Sequence, residues 1–359
     1  MKPRAELDDI RPYQPPRMAL EIQAERGSKE YVKLTMNELS FGPLPEARAA
    51  AMETLARANR YPARDADPLR AVISAANPGI TTANVVVGNG SSEVLVDLLQ
   101  ILERPGEVIF PWPSFPFYSS ATRVVGLTEC RVGLNGRHSA DLDTLHAAVG
   151  PETRAVILCN PNNPTGTYLS LDRVRAFAAS LPDRVLLILD EAYYEFVEDP
   201  AYAGSHELVL RSTNVVSTRT FSKVHGLAGL RVGYGIAPQE IADYVWRAHV
   251  PFSVSLVAQA AAEASMRQTV SIAGRARFMT GERERLQAAF AEARLEYVPS
   301  HTNFVLVRTR PGVFERTGVL VREGEALGYP GWCRISIGRA EENDQIIAAL
   351  SRESSTPGR

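Results

Sequence analysis

The sequence predicts an α/β fold: a large domain with a mostly parallel central sheet flanked by helices, plus a smaller α+β domain. Three observations carry this expectation. Between residues 80 and 240, short β-branched runs alternate with longer amphipathic stretches, the pattern of strands joined by crossover helices. Several of those runs are apolar on both faces, as strands buried in a parallel sheet are. Beyond residue 255 the composition shifts, first to Ala-, Gln-, Glu- and Arg-rich sequence without proline, then to short strand-like runs.

In chain order, residues 1–35 are expected to form an arm packed beside the smaller domain, residues 36–265 the large domain and residues 266–359 the small one. Strands are expected in VVVG from Val85, EVIF ending at Phe110, AVILC ending at Cys159, VLLILD ending at Asp190, NVVSTR ending at Arg219 and GYGIA ending at Ala237. Long helices should fill Ser255 to about Arg294. After them NFVLVRT, GVLVRE and WCRISIG read as antiparallel strands, and a final helix starts near Ala340.

Composition excludes several classes of function. The 359 residues hold 39 Lys and Arg against 41 Asp and Glu, a net charge of -2, so nothing draws the chain toward nucleic acid or an anionic membrane. No apolar run approaches the ~18 residues of a membrane span, and the first residues resemble neither a secretory signal nor a transit peptide. A cytoplasmic protein is expected. Cys130, Cys159 and Cys333 lie far apart and the six histidines are scattered, so neither disulfides nor a metal site is expected.

In open α/β sheets ligands bind beyond the carboxyl ends of the strands, so the residues just after each predicted strand matter most. Four segments stand out. After VVVG, the turn Asn89-Gly90-Ser91-Ser92-Glu93 opens an apolar-periodic helix; it suits a phosphate at a helix N-terminus, or an ordinary serine cap. After AVILC, Asn160-Pro161-Asn162-Asn163-Pro164-Thr165-Gly166 is a rigid loop that can aim an amide, or a plain turn. After VLLIL, Asp190 ends an apolar strand and needs a cation or a hydrogen-bond network nearby; a protonated pyridine nitrogen would serve, as would a structural ion pair. After NVVSTR comes Thr220-Phe221-Ser222-Lys223, with Arg231 eight residues past the lysine. A lysine among apolar residues and near a cation can become a nucleophilic amine, although most lysines are solvated surface charges.

Together these segments resemble, in order and spacing, the fold type I pyridoxal-phosphate-dependent aminotransferases of class I/II over nearly the whole chain. The resemblance implies that Lys223 holds pyridoxal 5'-phosphate as a Schiff base and later carries a proton between the substrate Cα and C4' of the cofactor. It implies that Arg231, Thr220 and Ser222, with the turn Gly90, Ser91, Ser92 and Glu93, hold the phosphate. Asp190 would keep the pyridine nitrogen protonated, Tyr193 and Asn163 would hydrogen-bond the phenolic oxygen, and Phe115 would stack on the ring. Tyr61 would reach the phosphate of a second subunit's cofactor, which implies a homodimer. Arg334 would grip the substrate carboxylate or its equivalent, with Tyr13, Asn37, Arg322 and Phe252 lining the rest of the substrate site.

Within the family, DIRPYQPP, MNELSFGPLP, RYP and RISIGRAEEN are most similar to the histidinol-phosphate aminotransferase branch, which also holds aromatic amino acid aminotransferases and threonine-phosphate decarboxylases. The implied reaction is amino transfer from histidinol phosphate to 2-oxoglutarate by a ping-pong route. Phe252 departs from the branch, whose PYxLS segment has a tyrosine there, and so favours an aromatic amino acid as donor. Release of carbon dioxide without a keto acid would mark a decarboxylase instead. A non-catalytic cofactor-binding regulator would need a DNA-binding domain. A dinucleotide oxidoreductase would need a GxGxxG turn after the first strand, and none is there.

Overall fold

A computed structural model describes residues 31–200, 202 and 205–354, together with Leu7 and Ile10; for residues 351–354 it describes the backbone alone. The strands are β1 (Val32–Leu34), β2 (Val85–Gly88), β3 (Glu107–Trp112), β4 (Thr128–Gly133), β5 (Thr153–Cys159), β6 (Leu186–Asp190), β7 (Val215–Thr220), β8 (Gly233–Ile236), β9 (Tyr297–Val298), β10 (Phe304–Arg308), β11 (Val319–Glu323) and β12 (Trp332–Ser336). They form two sheets.

The larger sheet has the order β2-β8-β7-β6-β5-β3-β4. Strands β3 to β7 run parallel to one another, whereas β8 is antiparallel to both β2 and β7. Period-two alternation explains why these strands read as apolar throughout. Val85 and Val87 enter one core and Val86 the other; Ile109 faces the first core while Val108 and Phe110 face the second. Both faces of the sheet are therefore dry. The helix Ser91–Gln100 covers the second face with Val94, Leu95, Leu98 and Leu99, a spacing that gathers them on one side of a helix.

Two features of this sheet differ from the sequence expectation. β4 was not expected as a strand: it is an edge strand with only Val132 buried, so Glu129 and Arg131 interrupt the apolar signal. β8 runs against its neighbours, a direction that four residues with two glycines do not encode.

The smaller sheet has the order β1-β11-β12-β10-β9. β1 pairs in parallel with β11, and the other pairings are antiparallel. Odd-numbered Val305, Val307, Cys333 and Ile335 share a core with Met279, Leu286 and Phe290 of the helix Thr269–Glu292 and with Ile346 of the helix Ala340–Ser354. Each fully buried side chain of this size contributes about 1.5–3 kcal/mol. The even-numbered residues of β12, Trp332, Arg334 and Ser336, face the other way, toward the strand ends of the larger sheet. No helix among the described residues is long and apolar enough to cross a membrane.

Candidate active site

Asp190 ends β6, and Leu186 and Ile188 before it face the core that holds Tyr118. Alternation therefore aims the Asp190 carboxylate at the same face. There Tyr118 Oη donates to Oδ2 at 2.6 Å, and the Ala192 N–H donates to Oδ1 at 3.2 Å. Burial pushes the carboxyl pKa up, and these two hydrogen bonds pull it back. Glu191, one residue on, points to the opposite face and pairs with Arg219 at 2.9 Å in a fully enclosed ion pair.

Lys223 lies three residues past β7. Its Nζ donates to the Met36 carbonyl at 3.2 Å and stands 5.5 Å from the centre of the Tyr193 ring. Burial, followed by the nearby Arg334 guanidinium, pushes the lysine pKa down to about 7, while Glu38 pulls the other way. The amine is thus poised to lose its proton near neutrality.

Residues 35–37 join the two units. The Thr35 carbonyl accepts from Arg334 Nη2 at 2.9 Å and the Met36 carbonyl from Lys223. Asn37, buried and at φ 54°, donates from Nδ2 to Tyr193 Oη at 2.9 Å and from its backbone N–H to Ser336 Oγ at 2.8 Å. Asn303 Nδ2 donates to the Asn37 carbonyl at 3.0 Å, which fixes the left-handed turn. Arg334 also donates from Nη1 to Asn163 Oδ1 at 2.5 Å. Lys223, Tyr193, Asn37, Asn163 and Arg334 thus form one connected set, with Asp190 at the neighbouring strand end.

A second set lies where β2 and β7 end and β8 begins. Gly233 pairs with Gly88 on one side and Thr220 on the other. A Cβ on Gly233 would collide with the Ser91 N–H and with Gly90, so only glycine lets the helix start approach this closely. Gly90 caps that helix with φ 79° and no side chain. Thr220 Oγ1 donates to Ser222 Oγ at 3.0 Å, and Arg231 Nη1 donates to Ser222 Oγ at 3.3 Å. A helix N-terminus, two hydroxyls and a guanidinium converge, an arrangement suited to a phosphate. Glu93 lies beneath this turn: its Oε2 accepts from the Asn89 N–H at 2.5 Å and from Ser253 Oγ at 2.6 Å.

The other predicted residues are more dispersed. Phe115 packs edge-on against Tyr118, with ring centres 5.6 Å apart. Arg322 pairs across the ladder with Arg334, placing both side chains on one face. Tyr61 and Phe252 stack on each other at 5.0 Å, with Tyr61 82% and Phe252 40% exposed. Tyr13 lies outside the described residues.

Sequence reading misses Tyr118, Asn303 and the carbonyls of residues 35 and 36. Tyr118 reaches Asp190 across 72 residues of chain and Asn303 reaches Asn37 across 266, separations that leave no local pattern. The doubled aromatic Phe117-Tyr118 just after Phe115 was the available hint.

The family model described as "Aminotransferase class I and II" matches residues 29–350. A histidinol-phosphate aminotransferase of Rubrobacter xylanophilus is 61% identical over 350 residues, covering 98% of this chain and 100% of that protein. An aromatic amino acid aminotransferase of Cutibacterium acnes is 40% identical over 325 residues, covering 89% and 92%. Among solved structures, the histidinol-phosphate aminotransferase of Sinorhizobium meliloti in complex with pyridoxal-5'-phosphate superposes with a TM-score of 0.86 at 27% identity, covering 97% of this chain and 96% of that one.

Proposed function

We propose that this chain, which belongs to the class I and II aminotransferases, moves an amino group from histidinol phosphate to 2-oxoglutarate in a ping-pong reaction. Membership makes it a pyridoxal-phosphate-dependent transaminase. The observation that carries the donor is the 61% identity over 98% of the chain to a histidinol-phosphate aminotransferase. Arg322 beside Arg334 supports it, since two guanidinium groups on one face suit a phosphate-bearing amine.

The residues present fit the cofactor. Asp190 is a buried carboxylate already held by two donors, the counter-charge that a protonated pyridine nitrogen requires. The absence of a side chain at Gly90 keeps open the space between the turn and Arg231, where a Cβ would lie 2.5 Å from Nη2. When bound, pyridoxal phosphate supplies a carbonyl for the amine and a conjugated ring that accepts the electron pair of the donor's Cα–H bond.

The protein's own groups do the rest. The Lys223 amine, able to lose its proton near neutrality, would attach the cofactor and would carry the proton of the donor's Cα. Asp190, held by Tyr118, would supply the negative charge that a protonated pyridine nitrogen needs. Asn163 and Tyr193 would hydrogen-bond the phenolic oxygen, each kept in place by a second partner, Arg334 and Asn37. Arg334 receives an anionic substrate group in its guanidinium fork.

A homodimer is part of this reading. Met52, Leu55, Tyr61, Val250 and Phe252 are 68%, 61%, 82%, 60% and 40% exposed, large apolar side chains that a second copy would cover. The setting is cytoplasmic amino-acid biosynthesis.

A second reading, an aromatic amino acid donor, draws on Phe252, whose apolar ring offers no hydroxyl to a polar side chain. Single-turnover rates with histidinol phosphate, phenylalanine, tyrosine and threonine phosphate discriminate, followed by loss of the visible cofactor absorbance. Histidinol phosphate is expected to react fastest with no carbon dioxide released. A phenylalanine rate well above it would overturn the donor assignment.

A further inference from the structure

One chain of polar groups, buried at Asp97 and His249 and half-buried at Ser253 and Glu93, lies outside the catalytic set. Glu93 and Asp97 stand one turn apart on the helix Ser91–Gln100, whose start forms the phosphate-suited turn. Asp97 Oδ2 meets His249 Nδ1 at 2.7 Å, and both side chains are 4% exposed. His249 Nε2 meets Ser253 Oγ at 3.0 Å, and Ser253 Oγ donates to Glu93 Oε2 at 2.6 Å. The ring closes on the turn itself: Glu93 Oε2 also accepts from the Asn89 N–H, and Asn89 Nδ2 donates to the Ser253 carbonyl at 3.3 Å.

The other end of this chain holds an unfavourable conformation. Phe252, next to Ser253, has φ 62°, a left-handed backbone that a bulky side chain rarely adopts without support. Two residues past Phe252, the Val254 carbonyl accepts from Gln259 Nε2 at 3.0 Å, and the same amide donates to the Ala63 carbonyl at 3.2 Å, tying the Phe252 loop to the Tyr61 segment. Phe252 is therefore flanked by His249, held by Asp97, on one side and by Ser253 and Val254 on the other, while its ring rests on Tyr61.

We propose that Asp97, His249, Ser253 and Glu93 are positioning residues that lock the phosphate turn at Asn89–Gly90 to the Phe252 loop, so that holding the cofactor and shaping the substrate site are one structural event. The proposal rests on the aminotransferase reading above. It assigns a task to two carboxylates and a histidine that the chemistry of amino transfer leaves unused.

The test is Ser253→Ala, which removes one hydroxyl from a half-buried loop, compared with Ser253→Thr, which restores it. Two quantities are read on the full-length protein: the equilibrium dissociation constant for pyridoxal phosphate and the steady-state constants for the amino donor. A lost hydrogen bond to a charged group corresponds to about tenfold in a binding constant. Ser253→Ala is expected to raise both the cofactor Kd and the donor KM by about that factor while kcat at saturation changes less than about threefold, and Ser253→Thr to restore both. His249→Gln is a second variant expected to move both constants in the same direction. A rise in one constant without the other, or no rise in either, overturns the proposal. If the unaltered protein transfers no amino group, the reading it rests on fails instead, and the cofactor Kd still reports on the turn.

Discussion

Tyr118 Oη sits 2.6 Å from Asp190 Oδ2, a hydrogen bond between a helix and a strand end that encloses the acid on the face away from Glu191. It holds the carboxylate oriented and offsets the burial that would otherwise favour its neutral form. Tyr118→Phe is expected to cost about 1.5–3 kcal/mol in the step that needs ionised Asp190, roughly 10- to 100-fold in kcat. Asp190→Asn should cost more, at least roughly 100-fold. Pre-steady-state rates at saturating cofactor check both; equal rates in the variants and the parent would remove Asp190 from the mechanism.

The lysine predicts a pH dependence. Only the unprotonated amine attacks a carbonyl, and Lys223 has been pushed down to about 7 from its ordinary value of 10.5. The rate of pyridoxal phosphate capture by cofactor-free protein should therefore rise as pH climbs through about 7 and level off above it. A rate still climbing beyond pH 9 would mean that the amine is an ordinary solvated one.

Arg334 tests geometry against charge. Its two bonds, to Asn163 Oδ1 and to the Thr35 carbonyl, set the plane of the guanidinium. Arg334→Lys keeps the charge and loses the fork, so KM for the keto acid should rise by roughly 10- to 100-fold, with a smaller fall in kcat. An unchanged KM would show that the anion binds elsewhere.

The ion pair between Glu191 and Arg219 is structural. Arg219 also donates to Asn77 Oδ1 and Ser205 Oγ, and its guanidinium lies 3.7 Å from the centre of the Tyr194 ring. Glu191→Gln would leave a buried guanidinium without its counter-charge, at a cost of about 3–5 kcal/mol in unfolding free energy. Urea unfolding of the cofactor-free protein reads this directly. Arg175→Ala, which removes an exposed helical pair with Asp172, is expected to leave the midpoint in place.

Much of the large sheet was legible because parallel strands buried on both faces are written as continuous apolar runs, and the polar residue that ends each run marks the ligand side. Asp190, Asn163, Lys223 and the Gly90 turn all follow from that rule once strand order is known. What was not legible depends on distance along the chain or on exposure. Tyr118 is one aromatic among several until folding sets it against β6. β4 hides its single inward valine among charged neighbours. The link from Glu93 to Ser253 spans 160 residues, and nothing in either segment announces the other.

The central claim is that Lys223 is the amine to which the cofactor attaches. Borohydride reduction of the loaded protein, followed by peptide mass measurement, tests it most directly. The account predicts one cofactor per chain on the peptide that contains Lys223, and none in Lys223→Arg. Stable label on another lysine, or no label in a protein that binds pyridoxal phosphate, would contradict it.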